Sequence, residues 1–335
     1  MHLLPPSSVF LKECDPKGMD NIENLLLTGL ITKLRGQKYP WKDAIDFFEN
    51  PAFLGAELFP AQRLLLKLWN LQTDFTDWEK ERLEEWTHPG LQGPEVYKSG
   101  VQGDVLERIE ALKKEGREWF PQIVAVMGRR AGKTFLTGLQ LSYCTACFLW
   151  ENGWRGGNAV TLGHSPDLMV IATTAEQAKG TIFTDFYNAV LANDFFKPYI
   201  VRASTSHVEF ADLETQERQQ KLEVNLEHPL LSLRARPISS NTAGSRGWPM
   251  PFFAFDEAFF ALQGESSRSG DAAIQALLPA QTQFYPHEIA IFPSSPWRRG
   301  GALYEIYEGG LATKESGNWD PGILVCQMES WKMYE

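Results

Sequence analysis

The chain has 335 residues, of which 43% are hydrophobic and 22% charged, enough apolar content for a full α/β core with a smaller accessory region. Its net charge of −10 excludes a uniformly basic surface but leaves room for a local basic groove. No basic N-terminal segment precedes an apolar run, no apolar stretch is long enough to span a bilayer, and four cysteines are too few for a disulfide framework, so the reading is a soluble protein of a reducing cytoplasm.

Residues 1–40 mix short apolar stretches with Pro and Lys and read as an N-terminal arm with one helix around Asn21–Leu34. Residues 41–120 read as helical and charged. Pro60–Leu71 has helical spacing, and Asp104–Lys114 is amphipathic with paired charges. Between them, Pro89, Gly90, Gly93, Pro94, Gly100 and Gly103 punctuate a loop-rich interval. The segment Leu58-Phe59-Pro60-Ala61-Gln62 offers a glutamine at the start of a helix. A glutamine amide can pair with both the donor and the acceptor edge of adenine, which would select ATP; an ordinary first-turn glutamine is the alternative.

The regular α/β region begins at Ile123. The apolar run Ile123-Val124-Ala125-Val126 breaks into Met127-Gly128-Arg129-Arg130-Ala131-Gly132-Lys133-Thr134, and Phe135–Trp150 reads as the following helix. A buried strand that turns through glycine into Gly-Lys-Thr builds a phosphate cradle. Backbone N–H groups wrap the β- and γ-phosphates, Lys133 neutralises them, and the Thr134 hydroxyl ligates Mg²⁺. The helix dipole points its positive end at the same place. Met127 stands where the usual pattern has glycine, with Gly128 displaced by one position. The pair Cys144 and Cys147 falls inside this helix at i, i+3 with no second Cys/His pair, and reads as core packing.

Further strands are expected at Leu168–Thr174, Phe252–Phe255, Glu288–Phe292 and Ile323–Gln327, with a helix at Ala175–Leu191 and short antiparallel strands and loops over Val201–Pro237. The strand before Asp256-Glu257 is apolar, so two adjacent carboxylates stand at a core edge. There Asp256 would hold Mg²⁺ through water and Glu257 would polarise an attacking water. Ser294-Ser295-Pro296 follows the next strand, where small hydroxyls can sense the γ-phosphate and transmit its loss. Arg246, in Ser245-Arg246-Gly247, could reach the γ-phosphate of a neighbouring subunit as an arginine finger, with Arg129 and Arg130 as competitors acting in cis.

Together these motifs resemble the ATPase domain of the large terminase subunit of tailed bacteriophages. The matching elements are Phe-Pro-Ala-Gln, GRRAGKT, IATTAEQAKGTIFTDF (171–186), Ser-Arg-Gly before AFDEA, and FPSSPWRRGGALYEIYE (292–308), spanning roughly residues 55 to 335. The resemblance implies an α/β P-loop NTPase of the ASCE type: a mainly parallel central sheet flanked by helices, with an N-terminal helical subdomain. Residues 1–120 would form the arm and helical lid region and 121–335 the ATPase core. It further implies ATP and Mg²⁺ as cofactors and the nucleotide-binding set Gln62, Gly128, Arg129, Arg130, Ala131, Gly132, Lys133 and Thr134. The implied role is a motor in the host bacterial cytoplasm that drives double-stranded DNA, independently of sequence, through a portal into a procapsid. The small terminase subunit would be a partner, and the motor would assemble as a homo-oligomeric ring while standing as a monomer in isolation.

Large terminases normally continue into a nuclease domain with clustered carboxylates. The residues after Ser294 offer no carboxylates at several strand ends, so no nuclease activity is expected in this chain, which reads as a piece of a longer protein. DNA contact should be to phosphates; Trp297-Arg298-Arg299-Gly300, Arg234 and Arg236 are candidates, with solvated charge as the alternative. Two rival functions remain open. A superfamily 2 helicase-like ATPase would need a second RecA-like domain for which there is no room, and an ATP-binding switch with little turnover would not need Glu257.

Overall fold

The structure, a computed structural model, describes residues 36–88, 100–154, 165–221, 230–240, 248–260, 270–296 and 300–335, with isolated positions between 26 and 33. Most of the expected Asn21–Leu34 helix, the Pro89–Pro94 loop, Arg246 and Trp297–Arg299 lie outside the described residues.

Helices α1 (Ala44–Glu49), α2 (Pro60–Trp69) and α3 (Asp77–Trp86) open the described chain. They are followed by the short strands β1 (Thr87–His88) and β2 (Gly100–Gln102) and by α4 (Val105–Lys114). Then come β3 (Gln122–Met127), α5 (Lys133–Trp150), β4 (Asp167–Ala172), α6 (Ala175–Ala178), a π-helical turn (Lys179–Phe183) and α7 (Thr184–Ala192). The remainder is β5 (Ile200–Ser204), β6 (His207–Phe210), α8 (Leu213–Lys221), β7 (Leu233–Ser239), β8 (Phe252–Phe255), α9 (Gly270–Gln281), β9 (Ile289–Ser294), α10 (Ala302–Leu311) and β10 (Ile323–Met328). A 3-10 turn, Ser330–Tyr334, closes the chain.

Among the described residues the strands form one sheet in the order β1-β2-β10-β3-β9-β8-β4-β7-β6-β5. The run from β10 to β7 is parallel throughout, and β2, β6 and β5 add antiparallel pairings at the two edges. Counting β3, β4, β8, β9 and β10 as first to fifth, the core order is 5-1-4-3-2. One strand, β9, therefore separates the P-loop strand from the carboxylate strand, which is the ASCE arrangement. Both faces of the central strands are covered, as parallel sheets require. Along β3, Ile123, Ala125 and Met127 pack into one core with α5, α7 and the N-terminal helices, while Val124 and Val126 pack into the other with α9 and α10. Each such fully buried aliphatic side chain contributes roughly 1.5–3 kcal/mol, so the strand ends that carry the motifs rest on the least yielding part of the molecule.

Four expectations are corrected. The stretch 41–120 is not wholly helical: β1 and β2 join the sheet, and β2 is held by tertiary partners rather than by a local pattern. The Gln102 side chain donates to the Ile323 carbonyl at 2.7 Å and accepts from Val325 N–H at 2.9 Å. The polar stretch before the carboxylate strand contains a helix, α8, whose first turn is capped by Asp212 accepting from Thr215 N–H at 2.8 Å. In the same stretch β7 is not antiparallel to every neighbour but runs parallel to β4. The single helix expected over Ala175–Leu191 is interrupted by the π turn, where Thr181 leaves helical geometry at φ −115°, ψ −113°.

Candidate functional site

The site lies at the carboxyl ends of β3, β9 and β8, where open α/β sheets bind their ligands. The turn after β3 is tight. Arg130 sits at φ 64° and Gly132 at φ 80°, and α5 begins at Lys133 with no side chain over its first N–H groups. Successive N–H groups in such a turn form a concavity suited to an anion. The side chains of Arg129 and Arg130 are exposed, whereas Lys133 is turned inward and largely buried.

Lys133 Nζ lies 2.9 Å from Glu257 Oε1 and donates to Ser295 Oγ at 3.0 Å. Glu257, in the left-handed region at φ 51°, is held by the next strand. Its Oε2 accepts from Ser295 N–H at 2.8 Å and from Ser294 Oγ at 3.2 Å, and its own N–H donates to the Pro293 carbonyl at 2.9 Å. A non-glycine residue held at positive φ by three neighbours is the kind of strain that collects at functional sites. Burial pushes the Glu257 carboxyl up, but the Lys133 ammonium and the Ser295 N–H outweigh it and hold the group below the usual carboxylate range.

Its neighbour has the opposite environment. Asp256 is 2% exposed, and burial raises its carboxyl above the ordinary value, with the Glu257 charge adding to the rise and Thr181 acting against it. Asp256 Oδ1 has no hydrogen-bond partner among the described residues. A buried carboxylate oxygen without a donor needs a cation or a water, so the donor set fits a hydrated Mg²⁺. Among the described residues no three carboxylate, His or Cys side chains cluster as a ready-made metal cage. Mg²⁺ does not require one, since it retains waters and shares phosphate oxygens.

Two neighbours were not singled out in the sequence. Thr134, in the first turn of α5, acts on the Asp185 carboxyl of α7, and Thr181 of the π turn, whose hydroxyl donates to the Gln177 carbonyl at 2.9 Å, acts on that of Asp256. Burial raises the Asp185 carboxyl, with the Thr134 hydroxyl acting against it. Gly138 permits this closeness: a Cβ there would lie 2.9 Å from Asp185 Cβ. Thr181 and Asp185 stand at i and i+4 after a core strand, and that spacing is the signal available in the sequence.

Gln62 is 3% exposed. Its Oε1 accepts from Phe59 N–H at 3.3 Å, closing the first turn of α2, and its Nε2 would meet a Cβ at Gly132 at 3.1 Å. It closes the first turn of its helix, as an ordinary first-turn glutamine does, and its amide borders the P-loop. Ser294 and Ser295 are buried and Pro296 is exposed. Arg234 and Arg236 do not join the site. Both pair with Asp167 at 2.9 Å, and Arg236 stacks on Trp248. Cys144 and Cys147 are free and buried in the core, and burial raises both thiols. A polar cavity of about 410 Å³ lined by Asp43, Asp46, Glu49, Arg63 and Lys67 shares no residue with the cluster. No helix among the described residues is long and apolar enough to cross a membrane.

No family model matches the chain, and no curated protein does. Among solved structures it is similar to the large terminase ATPase domain of Thermus phage P74-26, at 18% identity and a TM-score of 0.40, over 67% of this chain and 81% of that one. It is also similar to the large terminase of bacteriophage HK97, at 13% identity and a TM-score of 0.41, over 74% of this chain and 43% of that one. Superpositions this loose give no residue-by-residue correspondence.

Proposed function

We propose that the chain is a P-loop ATPase serving as the motor domain of a viral large terminase, with hydrolysis driving double-stranded DNA into a procapsid. The observation that carries the ATPase reading is the contact of three motifs distant in sequence. Lys133 of the P-loop, Glu257 of the carboxylate pair, and Ser294 and Ser295 after β9 share one hydrogen-bonded cluster. The terminase reading adds to this the order of the motifs along the chain.

In this reading Lys133 and the P-loop N–H groups up to Thr134 bind the β- and γ-phosphates, apart from those of Gly128 and Ala131, which donate to the Met328 and Gly128 carbonyls. Thr134 and Asp256 would hold Mg²⁺, which when bound neutralises charge on the phosphate oxygens. Glu257 orients and deprotonates the attacking water. To do so it must release Lys133, because a triphosphate competes for the same ammonium. Ser294 and Ser295 follow Glu257 as it moves and pass the change into β9, whose other residues lie in the core. The transition-state arginine is Arg246 from an adjacent subunit, with Arg129 and Arg130 as the candidates in cis. DNA is gripped through its phosphates without regard to sequence, and a homo-oligomeric ring, the portal and the small subunit complete the assembly.

The Lys133–Glu257 pair also favours a second reading, a nucleotide-binding switch with low turnover, since the general base is tied to the phosphate-binding lysine. Steady-state hydrolysis over a protein concentration series, with and without double-stranded DNA, decides between them. For the motor, specific activity rises with concentration and with DNA and falls in Arg246→Ala. Nucleotide binding without turnover under every condition favours the switch. Absence of both binding and turnover removes the ATPase reading.

A further inference from the structure

The end of the described chain passes along the P-loop on the side of β10, away from β9. There β10 pairs with β3 as far as Met328 opposite Met127, and the turn Ser330–Tyr334 continues past the loop as a strap. The carbonyls of three consecutive loop residues each accept a hydrogen bond. Gly128 O takes the Ala131 N–H at 3.2 Å, Arg129 O takes the Ser330 hydroxyl at 2.7 Å, and Arg130 O takes the Tyr334 hydroxyl. A trans peptide sets its C=O and N–H antiparallel, so a bond that fixes the Arg129 carbonyl also turns the Arg130 N–H away from the strap. Arg130 itself lies at φ 64°, a left-handed conformation that a residue with a Cβ holds only under constraint.

The strap is anchored away from the loop. Met333 is fully buried in the core, and Lys332 and Glu335 pair with Glu85 and Arg82 of α3 at 2.8 and 3.2 Å. The Glu335 carbonyl accepts the Ala61 N–H of α2 at 3.3 Å, and Tyr334 meets Phe59 edge to face, with ring centroids 5.1 Å apart. The fit of the strap also accounts for the displaced glycine. Met127 is the buried last residue of β3, whereas a Cβ at Gly128 would lie 3.1 Å from the Ser330 backbone nitrogen and closer still to its hydroxyl. Position 128, not 127, is therefore the one that a side chain cannot occupy.

We propose that Ser330 and Tyr334 are positioning residues of the P-loop, which they hold in its anion-binding shape before any anion arrives. The inference rests on the nucleotide reading above. Both hydroxyls act through carbonyls, so neither touches the phosphates themselves. An anion-binding turn presents its N–H groups to the ligand, and fixing the carbonyls from behind keeps that arrangement populated in the empty protein. A loop released from the strap is competent for only part of the time, and its apparent affinity falls by that fraction. Through the strap, α3 is tied to the phosphate end of the site.

Two measurements on the full chain test this, and the first needs no ligand. Trypsin cuts after arginine, so its scissile carbonyls here are those of the exposed residues Arg129 and Arg130, the two that the strap holds. Cutting of a folded loop follows its open population. Loss of one hydrogen bond should speed cutting at these two sites by about 2–12-fold in Ser330→Ala and in Tyr334→Phe. Phe59→Ala, which keeps the Tyr334 hydroxyl, should be cut at the parent rate. In the second measurement, equilibrium titration with Mg²⁺ and either ATP or inorganic tripolyphosphate, the double variant should bind both ligands more weakly by the same factor. That factor should be at least about threefold, with the thermal midpoint near the parent value. Unchanged cutting in both single variants overturns the inference, and so does faster cutting with undiminished affinity in the double variant, since the strap would then guard the loop without shaping it. A fall in midpoint with faster cutting throughout the chain assigns the strap to the fold as a whole and also overturns it. Failure of the parent to bind either ligand overturns the nucleotide reading itself, and this inference with it.

Discussion

Where β3, β9 and β8 end, Lys133, Asp256, Glu257, Ser294 and Ser295 come from three adjacent strands and are largely buried; where the turn Ser330–Tyr334 meets the start of α2, Phe59 and Tyr334 touch edge to face and are half exposed. At the first end Lys133 and Glu257 satisfy one another, while Asp256 Oδ1 has no partner among the described residues. The strength of such charges depends on exclusion of water, because a low local dielectric raises every interaction among them. The second end offers flat apolar faces to solvent and uses its polar bonds for positioning. Preorganised charge suits phosphoryl transfer, whereas a half-exposed ring pair supplies contact area and little else. Substitutions at the first end should therefore act on both rate and stability, and those at the second more weakly.

The largest effect is expected from Glu257→Gln. Loss of the base should lower kcat by on the order of 10²–10⁴-fold, measured as phosphate release. ATP affinity should hold or rise, since Lys133 loses its competing partner. A parallel loss of affinity would mean that Glu257 helps to build the P-loop rather than waiting beside it. Asp256→Asn should separate activity from stability. The Asp256 carboxyl is raised by burial, so its ionised form is penalised in the folded state at every pH above its ordinary value. The variant should lose hydrolysis yet melt a few degrees higher at pH 7, as read by calorimetry. A lower midpoint would show that Thr181 and the charge at Asp256 stabilise the fold.

Smaller and pH-dependent is the Lys133–Glu257 pair. Glu257 is depressed in the folded state, so the pair contributes stability above the unfolded glutamate value of about 4.3, and the contribution is lost as pH falls through the depressed value. Lys133→Met should reduce stability by about 1–3 kcal/mol at pH 7, and urea unfolding should find that gap closing as the pH drops below about 4. A gap that is constant with pH would assign the loss to packing.

These differences follow what the sequence could carry. Gly-Arg-Arg-Ala-Gly-Lys-Thr, Asp256-Glu257 and Ser294-Ser295 are legible because each is a short pattern at the end of an apolar strand, and a parallel sheet brings strand ends together without further instruction. The strand β2 was not legible: three residues after a glycine-rich interval become a strand only because Gln102 bonds to β10. The interrupted helix was not legible either, because Lys179–Phe183 has no proline to mark the π turn at which Thr181 leaves helical geometry. Tyr334 carried no local signal, as its role comes from contacts to Arg130 and Phe59 far away in sequence.

Gly138 gives the most delicate test of how closely α7 serves the phosphate end. Inside an exposed helix, replacing glycine by alanine gains about 1 kcal/mol. Here the added Cβ would lie 2.9 Å from Asp185 Cβ and 3.1 Å from Phe186 N. Phe186 N is backbone and Phe186 is fully buried, so neither can turn aside as a flexible side chain would, and α5 and α7 must separate. Overpacking of this kind costs about 1–3 kcal/mol, which outweighs the propensity gain, so Gly138→Ala should lower the urea midpoint. The separation also draws Asp185 from Thr134, and the variant should therefore need more Mg²⁺ for half-maximal ATP binding, as Asp185→Asn should without the loss of stability. If Gly138→Ala is as stable as the parent, the two helices do not approach this closely and Asp185 has no fixed position beside the P-loop threonine. If stability falls while Mg²⁺ dependence is unchanged in both variants, the contact between α5 and α7 serves the fold alone.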